Sequence, residues 1–190
     1  MTDKTYTALP NELALIADAK TDPGAFAEVY DHYFARIYNY ARYRVIDPVA
    51  ADDLTSEVFE RVLTKLHTYR PTRGPFSVWL FAVARNTVNA ELRRQKLRQF
   101  FSLEAVRHRP GADPDPSEVA DQNETYRELL AAVRGLSERE RELIALKFAG
   151  GLTNRAIAKM TGLTENHVAV ILHRAVQRIR SELEEPGEHS

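Results

Sequence analysis

The sequence predicts an all-α protein, built as two small helical domains joined by a flexible linker, the C-terminal one a helix-turn-helix. Three observations carry this. No segment alternates apolar and polar residues for the length of a strand, whereas apolar residues recur at helical spacing through most of the chain. A stretch around Arg107–Glu124 holds Pro110, Gly111, Pro114 and Pro116 among acids and has little to bury, so it divides the chain. Within 152–180, Ala158, Gly162 and Val168 stand where a steep helix crossing needs a small contact residue, a turn glycine and a branched apolar lock.

The elements follow in order. Leu13, Ile16 and Ala17 mark a short first helix, which Pro23 and Gly24 end. From Ala25 to Val45 an apolar stripe runs through Phe26, Val29, Tyr30, Tyr33, Phe34, Ile37 and Ala41, with Tyr38, Tyr40 and Tyr43 flanking it. Asp47-Pro48 interrupts the pattern. The helix from Val49 to His67 buries Leu54, Val58, Val62 and Leu66 and turns Asp52, Asp53, Ser56, Glu57 and Glu60 outward. A loop, Tyr69–Pro75, precedes a helix from Ser77 to Arg98, with Trp79, Leu80, Val83, Ala84 and Val88 near one face and Arg85, Asn86, Asn89, Arg93 and Arg94 around the others. The first domain thus spans 10–98, the acidic linker 99–124, the second domain 125–184 and a disordered tail 185–190.

In the second domain, Ile157, Leu163, Ile171, Leu172, Ala175 and Ile179 extend the buried side, while Asn166, His167, His173, Arg174 and Gln177 project elsewhere. Thr164 is placed to N-cap the second helix, and Glu165 adds an acid to its first turn. A unit of this winged-helix-like DNA-binding class lays that helix in the major groove. The plainer alternative is an αα-hairpin packed inside a helical domain.

Composition narrows the function. The chain has 190 residues and no cysteine, which excludes a disulfide framework and a thiolate metal site and fits a reducing compartment. Its longest strictly apolar run, Val78–Ala84, is far short of a bilayer span, and the N-terminus lacks a signal pattern, so the expected location is the cytoplasm. A net charge of −1 taken alone argues against a nucleic-acid binder. Its distribution argues the other way. Between Arg70 and Arg98 the basic residues are opposed only by Glu91, the linker is acidic, and the helix-turn-helix turns basic again. Two basic stretches separated by an acidic one suggest two contacts with a polyanion.

The run GPFSVWLFAVARNTVNAELRRQK resembles the promoter-melting, −10-reading segment of extracytoplasmic-function sigma factors of the sigma-70 family. AADDLTSEVFERVLTKL is similar to that family's polymerase-binding helix, and LSERERELIALKFAGGLTNRAIAKMTGLTENHVAVILHRA to its −35-reading domain. The resemblance covers 10–184 and rests on the combination and order of the motifs. It implies a transcription initiation factor that is no enzyme, binds core RNA polymerase, directs it to −10 and −35 promoter elements, helps open the duplex and answers to an anti-sigma factor. It implies no cofactor and no metal.

By this resemblance Asp53, Ser56, Glu57 and Glu60 face the β′ coiled coil, and a carboxylate row suits a basic partner. Ser56 stands where the family often has glutamine. The Arg70–Pro75 loop, with Arg70 and Arg73, is expected to hold a flipped −10 base, and Arg85, Asn86, Asn89 and Arg93 to contact the strand or duplex edge. Arg93 and Arg94 read as phosphate clamps. Trp79 is a candidate platform, although a sole tryptophan beside Leu80 and Val83 also suits a core. At the −35 element the candidates are Thr164, Asn166, His167, Ala169, Val170, His173 and Arg174, with Ala169 and Val170 offering only apolar contacts where many relatives carry a cation. The second domain is also expected to meet the β flap.

Two rivals are weaker. LTNRAIA also resembles the DNA-binding domain of response-regulator and quorum-sensing activators, but the two N-terminal motifs and the absence of lysine after Val168 oppose that. The acids Asp52, Asp53, Glu57 and Glu60 lack a Glu-x-x-His partner motif, and no glycine-rich phosphate loop is present, so catalysis has no constellation to rest on.

Overall fold

The computed structural model of the chain describes residues 9–45, 47–105 and 124–184. Among these no strand occurs, so the helix-turn-helix stands there without a wing. The N-terminal domain comprises α1 (Glu12–Asp18), α2 (Pro23–Val45), α3 (Pro48–Lys65) and α4 (Phe76–Ala105). The C-terminal domain comprises α5 (Glu124–Arg134), α6 (Glu138–Ile144), α7 (Asn154–Thr161) and α8 (Glu165–Glu184). A π-helical turn, Ala145–Ala149, continues α6.

Pro23 and Gly24 do not end α1, contrary to the sequence expectation; they open α2. Proline suits a first helical position because its φ is preset and it lacks an N–H that would go unpaired. Asp22 completes the start by accepting the Gly24 N–H at 2.9 Å. Asp47 does the same for α3, accepting the Ala50 N–H at 3.0 Å ahead of Pro48. Leu54, Val58, Val62 and Leu66 are all buried, as the α3 period requires.

On α2 the buried arc is wider than the stripe read from sequence. Tyr40, expected at the flank, is fully buried, and Arg36 and Arg44 are buried too, whereas Phe34 is exposed. The reason is that α2 is covered on two sides: α3 and α4 pack against one, α6 and the π turn against the other. The apolar core is continuous across both domains.

Helix α4 runs on to Ala105, past the end at Arg98 read from the sequence, because nothing from Gln99 to Ala105 breaks a helix. Positions 106–123 and the tail 185–190, expected as linker and disordered end, lie outside the described residues.

The helix-turn-helix forms as its spacing dictates. Thr153 caps α7 through the Ala156 N–H, and Gly162 ends it in the left-handed region at φ 74°. Ala158 and Val168 are buried at the crossing. Ser137 and Glu140 form a reciprocal capping box at the start of α6. Arg178 of α8 donates to both Glu140 carboxylate oxygens, at 2.9 and 3.2 Å, and to the Gly135 carbonyl at 2.9 Å, tying α8 to that corner.

Candidate nucleic-acid interface

The loop before α4 builds an aromatic cleft. Tyr69 is buried and donates its hydroxyl to the Gly74 carbonyl at 3.1 Å, which fixes the loop's bend. Burial, with Glu12 nearby, pushes this phenol above its ordinary range, so it stays a neutral donor. Phe76 lies stacked on Trp79 with centroids 5.5 Å apart, and Tyr69 stands 5.8 Å from Trp79. Trp79 is half-buried: it packs in this cluster and also lines a cleft of about 360 Å³ with Tyr69, Arg70, Arg73 and Pro75. That volume lies within the range of small-ligand pockets, about 300–1,000 Å³. Lys159 and Met160 of α7 line the opposite wall. Arg70 is held to its own loop, donating to the carbonyls of His67 at 2.6 Å and Tyr69 at 3.1 Å.

Along α4, Asn86, Arg93 and Arg94 are exposed, and Arg94 pairs with Glu91 at 3.3 Å. Arg85 and Asn89 are not open to solvent in the same way. Glu142 of α6 accepts from Arg85 Nε at 2.8 Å and Asn89 Nδ2 at 3.4 Å through one oxygen, and from Arg139 Nη1 at 3.0 Å through the other. Burial pushes the Glu142 carboxyl up, but the charges of Arg44 and Arg85 and hydrogen bonds from Asn89 and Arg85 outweigh it and hold it below the usual carboxylate range.

Helix α8 presents the candidates read from the sequence together. Thr164 caps α8 through the His167 N–H at 3.2 Å. Asn166, His167, Ala169, Val170, His173 and Arg174 are all exposed, on the side away from buried Val168, Leu172, Ala175 and Ile179. Val170 is 47% exposed, an apolar side chain suited to a thymine methyl. On α3, Asp53, Ser56 and Glu60 are exposed, while Glu57 is half-buried and bonded to Arg61 at 2.5 Å. No group of histidines and acids among the described residues could hold a metal ion, and no described helix is long and apolar enough to cross a membrane.

Sequence reasoning missed the residues that join the domains. Arg36 packs its guanidinium on the rings of Tyr33 and Phe81, 5.0 and 5.4 Å from their centroids, and donates to the carbonyls of Ala149, at 3.5 Å, and Gly150. A cation there complements the negative end of the α6 helix. Tyr126 donates to Asn39 at 3.1 Å, and Lys96 pairs with Glu138. The signal was present in the sequence: Arg36 and Arg44 fall within the apolar period of α2, where an unpartnered cation would be costly.

Profiles of sigma-70 region 2 and sigma-70 region 4 match residues 29–98 and 126–179 respectively. The ECF RNA polymerase sigma factor SigX of Bacillus subtilis (strain 168) is 30% identical over 166 residues, covering 84% of this chain and 84% of its own length. The ECF RNA polymerase sigma factor BldN of Streptomyces coelicolor is 30% identical over 82% of this chain, which spans 59% of BldN. The fold is similar to that of the sigma factor RpoE co-crystallised with the anti-sigma factor NepR from Bartonella quintana, with a TM-score of 0.67 at 18% identity, over 85% of this chain and 98% of that one.

Proposed function

The chain belongs to the extracytoplasmic-function branch of the sigma-70 family, and from that premise we propose how its surfaces divide the work of starting transcription. The N-terminal domain binds the β′ coiled coil of core RNA polymerase through Asp53, Ser56, Glu57 and Glu60 on α3. Exposed carboxylates steer a basic partner into register without needing deep burial. The cleft of Tyr69, Arg70, Arg73 and Trp79 captures a −10 base once it unstacks, offsetting part of the few kcal/mol that unstacking costs. Arg85, Asn86 and Asn89 meet the neighbouring strand, and Arg93 and Arg94 clamp phosphates.

The C-terminal domain lays α8 in the −35 major groove and meets the β flap. Asn166, His167 and His173 read base edges, Arg174 takes a guanine or a phosphate, and Ala169 and Val170 read thymine methyls. Thr164 anchors the helix start. The protein is a binding factor working in the cytoplasm rather than a catalyst, and an anti-sigma factor of the kind seen with RpoE controls it.

The observation that carries this reading is the aromatic cleft opening beside a basic helix in a chain that also exposes a recognition helix. Its test is co-purification with core RNA polymerase, followed by run-off transcription from a genomic fragment library. Stable association with starts that share two spaced elements is expected. Duplex binding without polymerase association would favour the activator reading instead.

A further inference from the structure

The surface expected to meet −10 DNA is already occupied by a carboxylate of the same chain. Glu142 is 5% exposed and Arg44 3% exposed, so both charges are out of water. Arg44 holds Asn89 Oδ1 at 2.9 Å and Tyr40 Oη at 3.1 Å, and its Nη1 stands 3.8 Å from Glu142. Its Nε is buried with no hydrogen-bond partner among the described residues. On the N-terminal domain, two guanidiniums and one amide therefore converge on one anion, with donor capacity to spare. Buried cations of this kind are stable only while an anion or water satisfies them. When the C-terminal domain moves away, as binding two separated promoter elements requires, that anion must be replaced.

The geometry points to a strand backbone as the replacement. Arg85 and Asn89 lie one turn apart on α4, and the same face continues outward to Arg93 and Lys96. Helix α6 sets Glu142 on the inner part of this row and Glu138 on Lys96. Those two carboxylates are one helical turn apart, about 6 Å along the axis. A helix carrying them offers a basic row successive negative charges, as a nucleic-acid strand does. Arginine pairs with carboxylate and phosphate through the same forked donors.

We propose that Arg44, Arg85 and Asn89 form an anion site that takes a phosphate of the −10 strand, and that Glu142 is its internal occupant, so domain closure and −10 engagement exclude one another. This rests on the sigma-factor reading and adds Arg44 to the DNA-binding residues. The closed arrangement also sets Lys159 and Met160 against the aromatic cleft, so one movement frees both the base site and the phosphate site.

The test uses the full chain. Because it has no cysteine, Thr64→Cys and Gln177→Cys, both at exposed positions, accept a dye pair that reports the distance between domains. The DNA probe is a mixed-sequence single-stranded oligonucleotide followed by fluorescence anisotropy. Adding it to the otherwise unaltered protein is expected to shift the distance distribution. Glu142→Gln is expected to open the protein without DNA and tighten DNA binding about tenfold, within the span usual for coupled sites. Arg44→Gln in that background is expected to remove the gain. DNA that binds the unaltered protein with no change in domain distance overturns the proposal, as does a folded Glu142→Gln protein with unaltered distance and affinity. Core-polymerase association, measured on the same proteins without the cysteines and dyes, reports separately on the sigma-factor reading.

Discussion

Gly150→Ala is the substitution for which the structure gives the clearest magnitude. Gly150 sits just after the π turn at φ −75° and ψ −21°, a conformation any residue adopts, so its backbone is not what requires glycine. Space is. The wide turn donates the Gly150 N–H to the Ala145 carbonyl at 3.0 Å, and this brings the glycine down onto its own preceding turn. A Cβ there would stand 2.5 Å from the Leu146 carbonyl oxygen and 3.3 Å from Leu152 Cγ. Even a close carbon–oxygen contact needs about 3.3 Å. The Leu146 carbonyl cannot retreat freely, because it accepts the Leu152 N–H at 3.2 Å. Forcing such a shift in a packed region costs about 2 kcal/mol. At about 2–4 °C per kcal/mol for a chain of this size, the melting point should fall by about 4–8 °C. Gly162→Ala is the control, since its Cβ would meet nothing within 4 Å and only the φ of 74° opposes it, at about 1 kcal/mol. Thermal melts followed by circular dichroism compare the two. If Gly150→Ala melts with the unaltered protein, or Gly162→Ala costs more, the steric account of the π turn is wrong. Since Gly150 also offers its carbonyl to Arg36, only the first variant should loosen the domain contact.

Other expectations address the surfaces. Asp53→Lys with Glu57→Lys should weaken core-polymerase binding at least about tenfold, while stability moves little, because Asp53 is exposed and the Glu57–Arg61 pair contributes under about 1 kcal/mol. Unchanged binding would remove α3 from that interface. Arg93→Ala with Arg94→Ala should reduce the salt dependence of open-complex formation by about 1.4–1.8 in log–log slope, the loss of two phosphate contacts. A parallel salt series at unaltered promoters would show these arginines only solvate α4. The domain contact should also respond to acid. Glu142 faces Arg44 and Tyr40 from α2, Arg85 and Asn89 from α4, and Arg139 on its own helix. With its carboxyl held below the usual range, its stabilisation is complete at neutral pH and is lost as pH falls through that depressed value. The dye-pair distance should therefore hold down to about pH 4 and lengthen below it. Opening near neutral pH would mean that another group controls the contact.

Periodic features were legible in the sequence. The α3 burial pattern, the helix-turn-helix crossing at Ala158, Gly162 and Val168, and the exposed face of α8 all follow from a repeat of 3.6 residues, which a linear reading detects directly. What escaped depended on a second layer. Tyr40 is buried because α2 is covered on two sides, with its ring edge-on to Phe81 of α4 at 5.7 Å, and no period within α2 reveals neighbours so far along the chain. Glu142 reads as one acid among several in SERERE, and only its placement beside Arg44, Arg85 and Asn89 separates it from Glu138 and Glu140. Pro23 shows the opposite limit: the residue type marks a helix boundary, but its side of the boundary depends on Asp22.

Trp79 gives the molecule a built-in optical probe. It is the sole tryptophan of the chain, and its indole lies where the aromatic cleft of one domain meets Lys159 and Met160 of the other. Selective excitation therefore reads that seam alone. Separation of the domains hydrates the ring and moves its emission to longer wavelength, whereas a stacked base quenches it. The colour and the brightness of one unlabelled side chain thus follow two different events in real time.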